Sequence, residues 1–148
     1  MEVIIAYAYL WAHGFCSAED YNKVLNTEFL KSPTATLLTE LVERSSSFKE
    51  TAARIQWYLK EECKSFDHKR FEQTLFPKLR EVYYSNKFNL SEFATRSHRL
   101  RNDLWLIPGE LPLESPFCDL SYASIPLEDW NDEKQTRSLF ETLFEDYK

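Results

Sequence analysis

A chain of 148 residues, 43% hydrophobic and 28% charged, with 11 Phe, 8 Tyr and 4 Trp, carries too many aromatic anchors for a disordered segment, and its length suits one hydrophobic core. Its two glycines, Gly14 and Gly109, argue against glycine-lined nucleotide loops and against the glycine-dependent hairpins of many all-β folds. A net charge of −6 and a pI of 5.1 weigh against a protein whose whole surface serves nucleic acid.

The apolar run from Val3 to Ala12 is too short to span a bilayer, and Glu2 stands where a signal peptide would carry a base. The pattern predicts a buried first helix over Glu2 to Ala12, closed near Gly14. Ser17, with Asp20 three residues on, is a variant capping box that opens a second helix burying Tyr21, Val24, Leu25 and Phe29. After Pro33, Leu37, Leu38, Leu41 and Val42 share one face, and the serines at 45–47 break the pattern. Ser47 and Glu50 cap the next helix, which turns Ala52, Ile55, Tyr58 and Leu59 inward.

Phe71, Leu75, Leu79, Val82 and Tyr83 recur at helical spacing, with Pro77 among them expected to kink or split the helix. Asn89 and Glu92 cap a helix that buries Phe93, Leu100 and Leu104. From Pro108 to Trp130 four prolines and Gly109 predict a meandering connection, packed down by Leu111, Leu113, Phe117, Leu120, Tyr122 and Ile125. A last helix starts near Asn131, with Asp132 and Glu133 in its first turn and an apolar stripe of Leu139, Phe140, Leu143, Phe144 and Tyr147.

The expectation is an all-α, single-domain helical bundle over residues 1–148, of about five to seven helices, with a proline-rich irregular segment before the last. Cys16, Cys63 and Cys118 have no metal-ligand spacing and read as free thiols in a reducing cytoplasm. The expected state is a cytoplasmic monomer or weak homo-oligomer.

Charge is distributed unevenly. Residues 1–63 hold nine acids and six bases, residues 64–101 four acids and nine bases, and residues 102–148 eleven acids and three bases. The basic middle reads either as a nucleic-acid surface using Lys64, Lys69, Arg70, Arg96, Arg99 and Arg101, or as a solvated face or internal partner of the acidic third. The acidic third reads either as a solvated surface or as an interface, because its carboxylates are interleaved with the aromatic side chains of Tyr122 and Trp130.

Catalytic equipment is sparse. No G-x-S-x-G or H-E-x-x-H motif occurs, and His13, His68 and His98 are scattered. His98, beside Arg99, Arg101 and Asp103, is the one acid/base candidate, set against a plain polar helix face. The expectation is no enzyme, no metal and no cofactor.

The stretches "LREVYYSNKFNLSEFATRSHRLRNDL" and "WNDEKQTRSLFETLFEDY" carry a family likeness. Their helix opening at Leu90, Ser91, Glu92 and Phe93, the proline-containing segment, and the acidic terminal helix with Asp132, Glu133, Arg137 and Leu139 resemble colicin D-type immunity proteins, relatives of which act in contact-dependent inhibition between bacteria. The likeness spans roughly residues 79–148. It implies a non-catalytic inhibitor of a cognate toxin domain, commonly a tRNA-cleaving nuclease. A nuclease attracts phosphates with cations, so its inhibitor is expected to present carboxylates. The partner surface expected here comprises Tyr122 and Trp130 as anchors, with Glu128, Asp129, Asp132, Glu133 and Glu141 as acids. Direct nucleic-acid and membrane binding are not expected.

Overall fold

A computed structural model describes residues 1–104, 107, 116–125 and 133–148. Among these residues the chain is all-helical, with eight α-helices: α1 Glu2–Ala12, α2 Ala18–Lys31, α3 Thr36–Glu43, α4 Phe48–Trp57, α5 His68–Tyr84, α6 Leu90–Asp103, α7 Phe117–Ala123 and α8 Glu133–Phe144. The count exceeds the expected five to seven by one. α4 runs on into a π-helical turn at Tyr58–Glu62, and α8 into a 3₁₀ turn at Glu145–Tyr147. No helix among the described residues is long and apolar enough to cross a membrane.

The first helix is apolar on nearly every side because it lies inside the bundle, against α2 and α5. Ile4, Ile5, Ala6 and Leu10 are buried. Its end is a Schellman motif: the Phe15 amide donates to the Leu10 carbonyl at 2.9 Å and the Gly14 amide to Trp11 at 3.1 Å. Gly14 takes φ +78°, a left-handed conformation that costs a residue with a Cβ about 1–2 kcal/mol. A Cβ there would also strike the guanidinium of Arg96.

Arg96 reaches across from α6 and donates from Nη1 to the His13 carbonyl at 2.9 Å, placing a cation on the negative end of the α1 dipole. Lys87 Nζ donates to the Gly14 carbonyl at 3.3 Å. Gly14→Ala is therefore expected to destabilise the protein by at least about 1–2 kcal/mol in urea unfolding. A change inside about 0.5 kcal/mol, the range of ordinary surface substitutions, would show that this cap carries no constraint.

The starts of α2, α4, α5 and α6 follow the local chemistry of their caps. Ser17 and Asp20 form a reciprocal box, with the Asp20 amide donating to Ser17 Oγ and the Ser17 amide to Asp20 Oδ2. Ser47 accepts from the Glu50 amide, Asp67 from Arg70 and Asn89 from Glu92. Arg54, only 13% exposed, pairs with Glu40 of α3 and with Glu62 at 3.0 Å, which ties α3 to the π-helical turn.

Two expectations are corrected. Pro77 does not split α5, which is continuous over 17 residues. The proline removes one amide donor, but Phe71, Leu75, Phe76, Leu79 and Val82 stay buried on both sides of it. That burial, at about 1.5–3 kcal/mol for each large side chain, outweighs a lost backbone hydrogen bond. The proline-rich segment is not wholly irregular either. Pro116 stands at the N-cap of α7, where its missing amide donor costs nothing, and Phe117, Leu120 and Ala123 bury one face. Tyr122, expected to pack inward, is 61% exposed on the opposite face. Leu111, Leu113 and the expected cap Asn131 lie outside the described residues.

Two aromatic clusters hold the C-terminal helices down. Phe140 of α8 meets Phe93 of α6 at 5.1 Å between ring centroids and Tyr83 of α5 at 5.7 Å, while Phe144 lies 5.5 Å from Tyr83. Phe76 of α5 contacts both Phe117 of α7 and Tyr147, at 5.4 and 5.3 Å. The Tyr147 hydroxyl also donates to Glu72 at 2.8 Å.

Candidate functional site

The buried stripe of Thr136, Phe140, Leu143 and Phe144 fixes which side of α8 faces solvent. Glu133, Lys134, Arg137, Glu141 and Glu145 are all on the exposed side. Their carboxylates do not simply repel one another. Glu133 pairs with Arg137 at 2.9 Å, Glu141 accepts from the Tyr83 hydroxyl at 3.4 Å, and Glu145 approaches Lys148 at 3.8 Å. The i, i+4 pair Glu141 and Glu145 thus has separate donors, which offsets a repulsion worth a few tenths of a kcal/mol, about 0.2–0.5, on an isolated helix.

Between α8 and the corner joining α5 to α6 lies an open cleft of 430 Å³. Tyr83, Tyr84 and Phe88 supply aromatic walls, Asn86 and Asn89 amide groups, and Glu133, Glu141 and Arg137 the charges. The corner turns sharply because Asn86 takes φ 58°, a left-handed conformation that asparagine tolerates better than most residues. Burial, followed by the nearby Glu141 carboxylate, pushes the Tyr83 hydroxyl up to about 12, so it stays protonated and donating at neutral pH. The Arg80 guanidinium sits 4.9 Å from the centre of the Tyr84 ring. One wall of the cleft therefore already meets a cation face-on.

Such a cleft is suited to cationic groups: it offers carboxylates for charge and ring faces for the flat side of a guanidinium. Among the described residues its lining has no histidine, cysteine or serine. Of the expected partner surface, the structure brings Glu133 and Glu141 to this cleft. Tyr122 is exposed on α7, which packs on α8, but it does not line the cleft. Glu128, Asp129, Trp130 and Asp132 lie outside the described residues.

The basic middle divides into two groups. Arg96 is committed to His13 and to Glu92 at 3.0 Å, and the Arg101 Nε donates to the Phe117 carbonyl at 3.3 Å, joining α6 to α7. Lys64, Lys69, Arg70 and Arg99 have exposed side chains. Contacts between this region and the acidic third such as Tyr83 with Glu141 and Tyr147 with Glu72 involve no basic side chain, so they are not the expected pairing of base with acid. Among the described residues, no group of three or more His, Cys, Asp or Glu side chains is arranged to hold a metal ion.

His98 is half-buried on α6, and its Nδ1 has no hydrogen-bond partner among the described residues. The histidine that does meet a carboxylate is His13, whose Nε2 lies 2.7 Å from Asp103 Oδ2. Sequence inspection missed this pair because the capping turn of α1 and the last residue of α6 are far apart in the chain. No local signal marks it. Burial lowers the proton affinity of His13, opposed by Asp103 and reinforced by Arg99 and Arg96, so the net shift is below the usual 6.5.

The unfolded chain then binds a proton at His13 more readily than the folded one. Stability from this residue is full above pH 6.5 and is lost as pH falls from there through the lower folded value. Unfolding free energy measured between pH 7 and 5 should decline, and His13→Gln should flatten the decline. An equal slope in both proteins would remove His13 as its source.

Comparison with protein-family models, with curated proteins and with solved structures finds no match.

Proposed function

We propose that this chain is a non-catalytic immunity protein that binds a cognate bacterial toxin domain, a nuclease acting on tRNA, and covers its cationic active site with an acidic surface. The observation that supports this most is the union of Glu133 and Glu141 with the rings of Tyr83 and Tyr84 in one cleft on a well-anchored helix. Charge attracts the basic partner, and the rings provide rigid contact area that loses little side-chain entropy on binding. In this proposal Tyr122, Glu128, Asp129, Trp130 and Asp132 also contact the partner, and the chain works in the cytoplasm, where such a nuclease finds its RNA. The chemistry belongs to the partner.

The test is co-expression with the toxin domain encoded by the reading frame immediately upstream, read by growth rescue and by recovery of a complex whose yield falls with salt. Rescue with a salt-sensitive complex supports the proposal. No rescue, together with RNA co-purifying with the free protein, would favour a nucleic-acid-binding role for the exposed cations of residues 64–101 instead.

A further inference from the structure

A second concavity, sharing no lining residue with the α8 cleft, lies between α1 and α4 and has a volume of 310 Å³. We infer that this slot binds a small, flat, largely apolar molecule of one or two rings whose single uncharged donor, an N–H or O–H, reaches Asp103 at the end of α6. The inference does not depend on the immunity reading.

The slot exists because small side chains meet where two helices cross. Ala8 and Ala12, one turn apart on α1, face Ala52 and Ile55 of α4, and these four make an apolar floor. One wall is Phe48, a large apolar side chain left 41% exposed. Its orientation is fixed: the ring stands edge-on to Trp11 at 4.9 Å, and Trp11 stacks on the buried Tyr21 at 5.1 Å. The aromatic wall is thus rigid before anything binds, which favours a flat occupant.

One end is polar. His13, 11% exposed, holds its Nε2 2.7 Å from Asp103 Oδ2 there. The Asp103 carboxylate is itself 53% exposed and has lone pairs beyond that contact, so it retains capacity to accept. A ligand N–H or O–H that arrives from the open side donates to one of these remaining lone pairs. Arg96 donates to the His13 carbonyl at 2.9 Å, which places a cation beside this end. A neutral donor therefore fits this end better than an ammonium group. An apolar pocket with a few converging polar groups is the usual form of a small-molecule site.

The experiment uses the whole protein, with indole and phenol as probes and benzene as the donor-free control, followed by backbone amide shifts. The expected result is saturable shifts concentrated at Ala8, Ala12, Phe48 and Ala52, with indole and phenol bound more tightly than benzene. Ala12→Leu and Ala52→Leu fill the slot and should each weaken indole binding by about tenfold or more. Asp103→Asn should abolish the advantage of indole over benzene while leaving benzene binding unchanged. Should the interior Ala52→Leu variant fail to fold, the exposed Ala12→Leu variant provides the same reading. Non-saturable or scattered shifts, wild-type affinity in the filled variant, or equal binding of indole and benzene by the wild-type protein would each overturn the inference.

Discussion

Changing Glu128, Asp129, Asp132, Glu133 and Glu141 together to their amides is expected to slow association with the proposed toxin domain by about 10- to 1000-fold at low salt, the range in which charge steering acts. The amides keep the shape of each side chain and remove its charge, so the dissociation rate should change less than the association rate. Salt should then have little further effect on association, because the attraction it screens is already gone. Stopped-flow mixing at low and high ionic strength measures both. An association rate equal to that of the wild-type protein would sink the assignment of this surface.

Arg137 supplies a sign test. It pairs with Glu133 inside the cleft and neutralises part of its charge. Arg137→Gln should therefore accelerate association, opposite to every acid-to-amide change. A charge-independent contact surface would show no such reversal.

Phe140→Ala is expected to produce the largest loss of stability, about 3–5 kcal/mol. The ring is completely buried and packs against Phe93, Tyr83 and Phe144 from three helices, so truncation leaves a cavity that several rigid rings cannot collapse to fill. A domain of this kind has only about 5–15 kcal/mol in total, so the variant should unfold at much lower urea concentration. Phe140→Leu, which retains most of the volume, should recover much of the difference. A loss below about 1 kcal/mol for the alanine variant would mean that α8 is not held by this cluster. Because the same contact seats Glu141 beside Tyr83, the alanine variant should also bind the toxin domain more weakly even where it remains folded.

Much of the local architecture was legible from residue order. Ser17, Ser47 and Asn89 cap helices where their side-chain oxygens can accept from amides three residues on, an interaction set by covalent proximity. Gly14 marks the end of α1 for a similarly local reason, since it occupies the left-handed position that closes the helix. The apolar spacing identified Phe93, Leu100, Phe140 and Leu143 as buried positions, which they are. Prolines misled twice, each time toward too little helix. Their local effect on the backbone is real, but Pro77 is carried through α5 by buried neighbours, and Pro116 caps a helix instead of preventing one.

The candidate sites divide along the same line. Composition alone identified an acidic, aromatic C-terminal third, and periodicity put Glu133 and Glu141 on a helix. Neither showed that α8 would bring them to Tyr83, Tyr84 and the α5–α6 corner, or that Arg137 would share the cleft with them. The meeting of His13 with Asp103 was equally invisible. Caps and periodic faces are decided by neighbours a few residues apart, whose geometry the backbone fixes in advance. Clefts and ion pairs arise between helices whose relative placement follows from the packing of the whole core, and in this protein only the tertiary structure decided which charges met which rings.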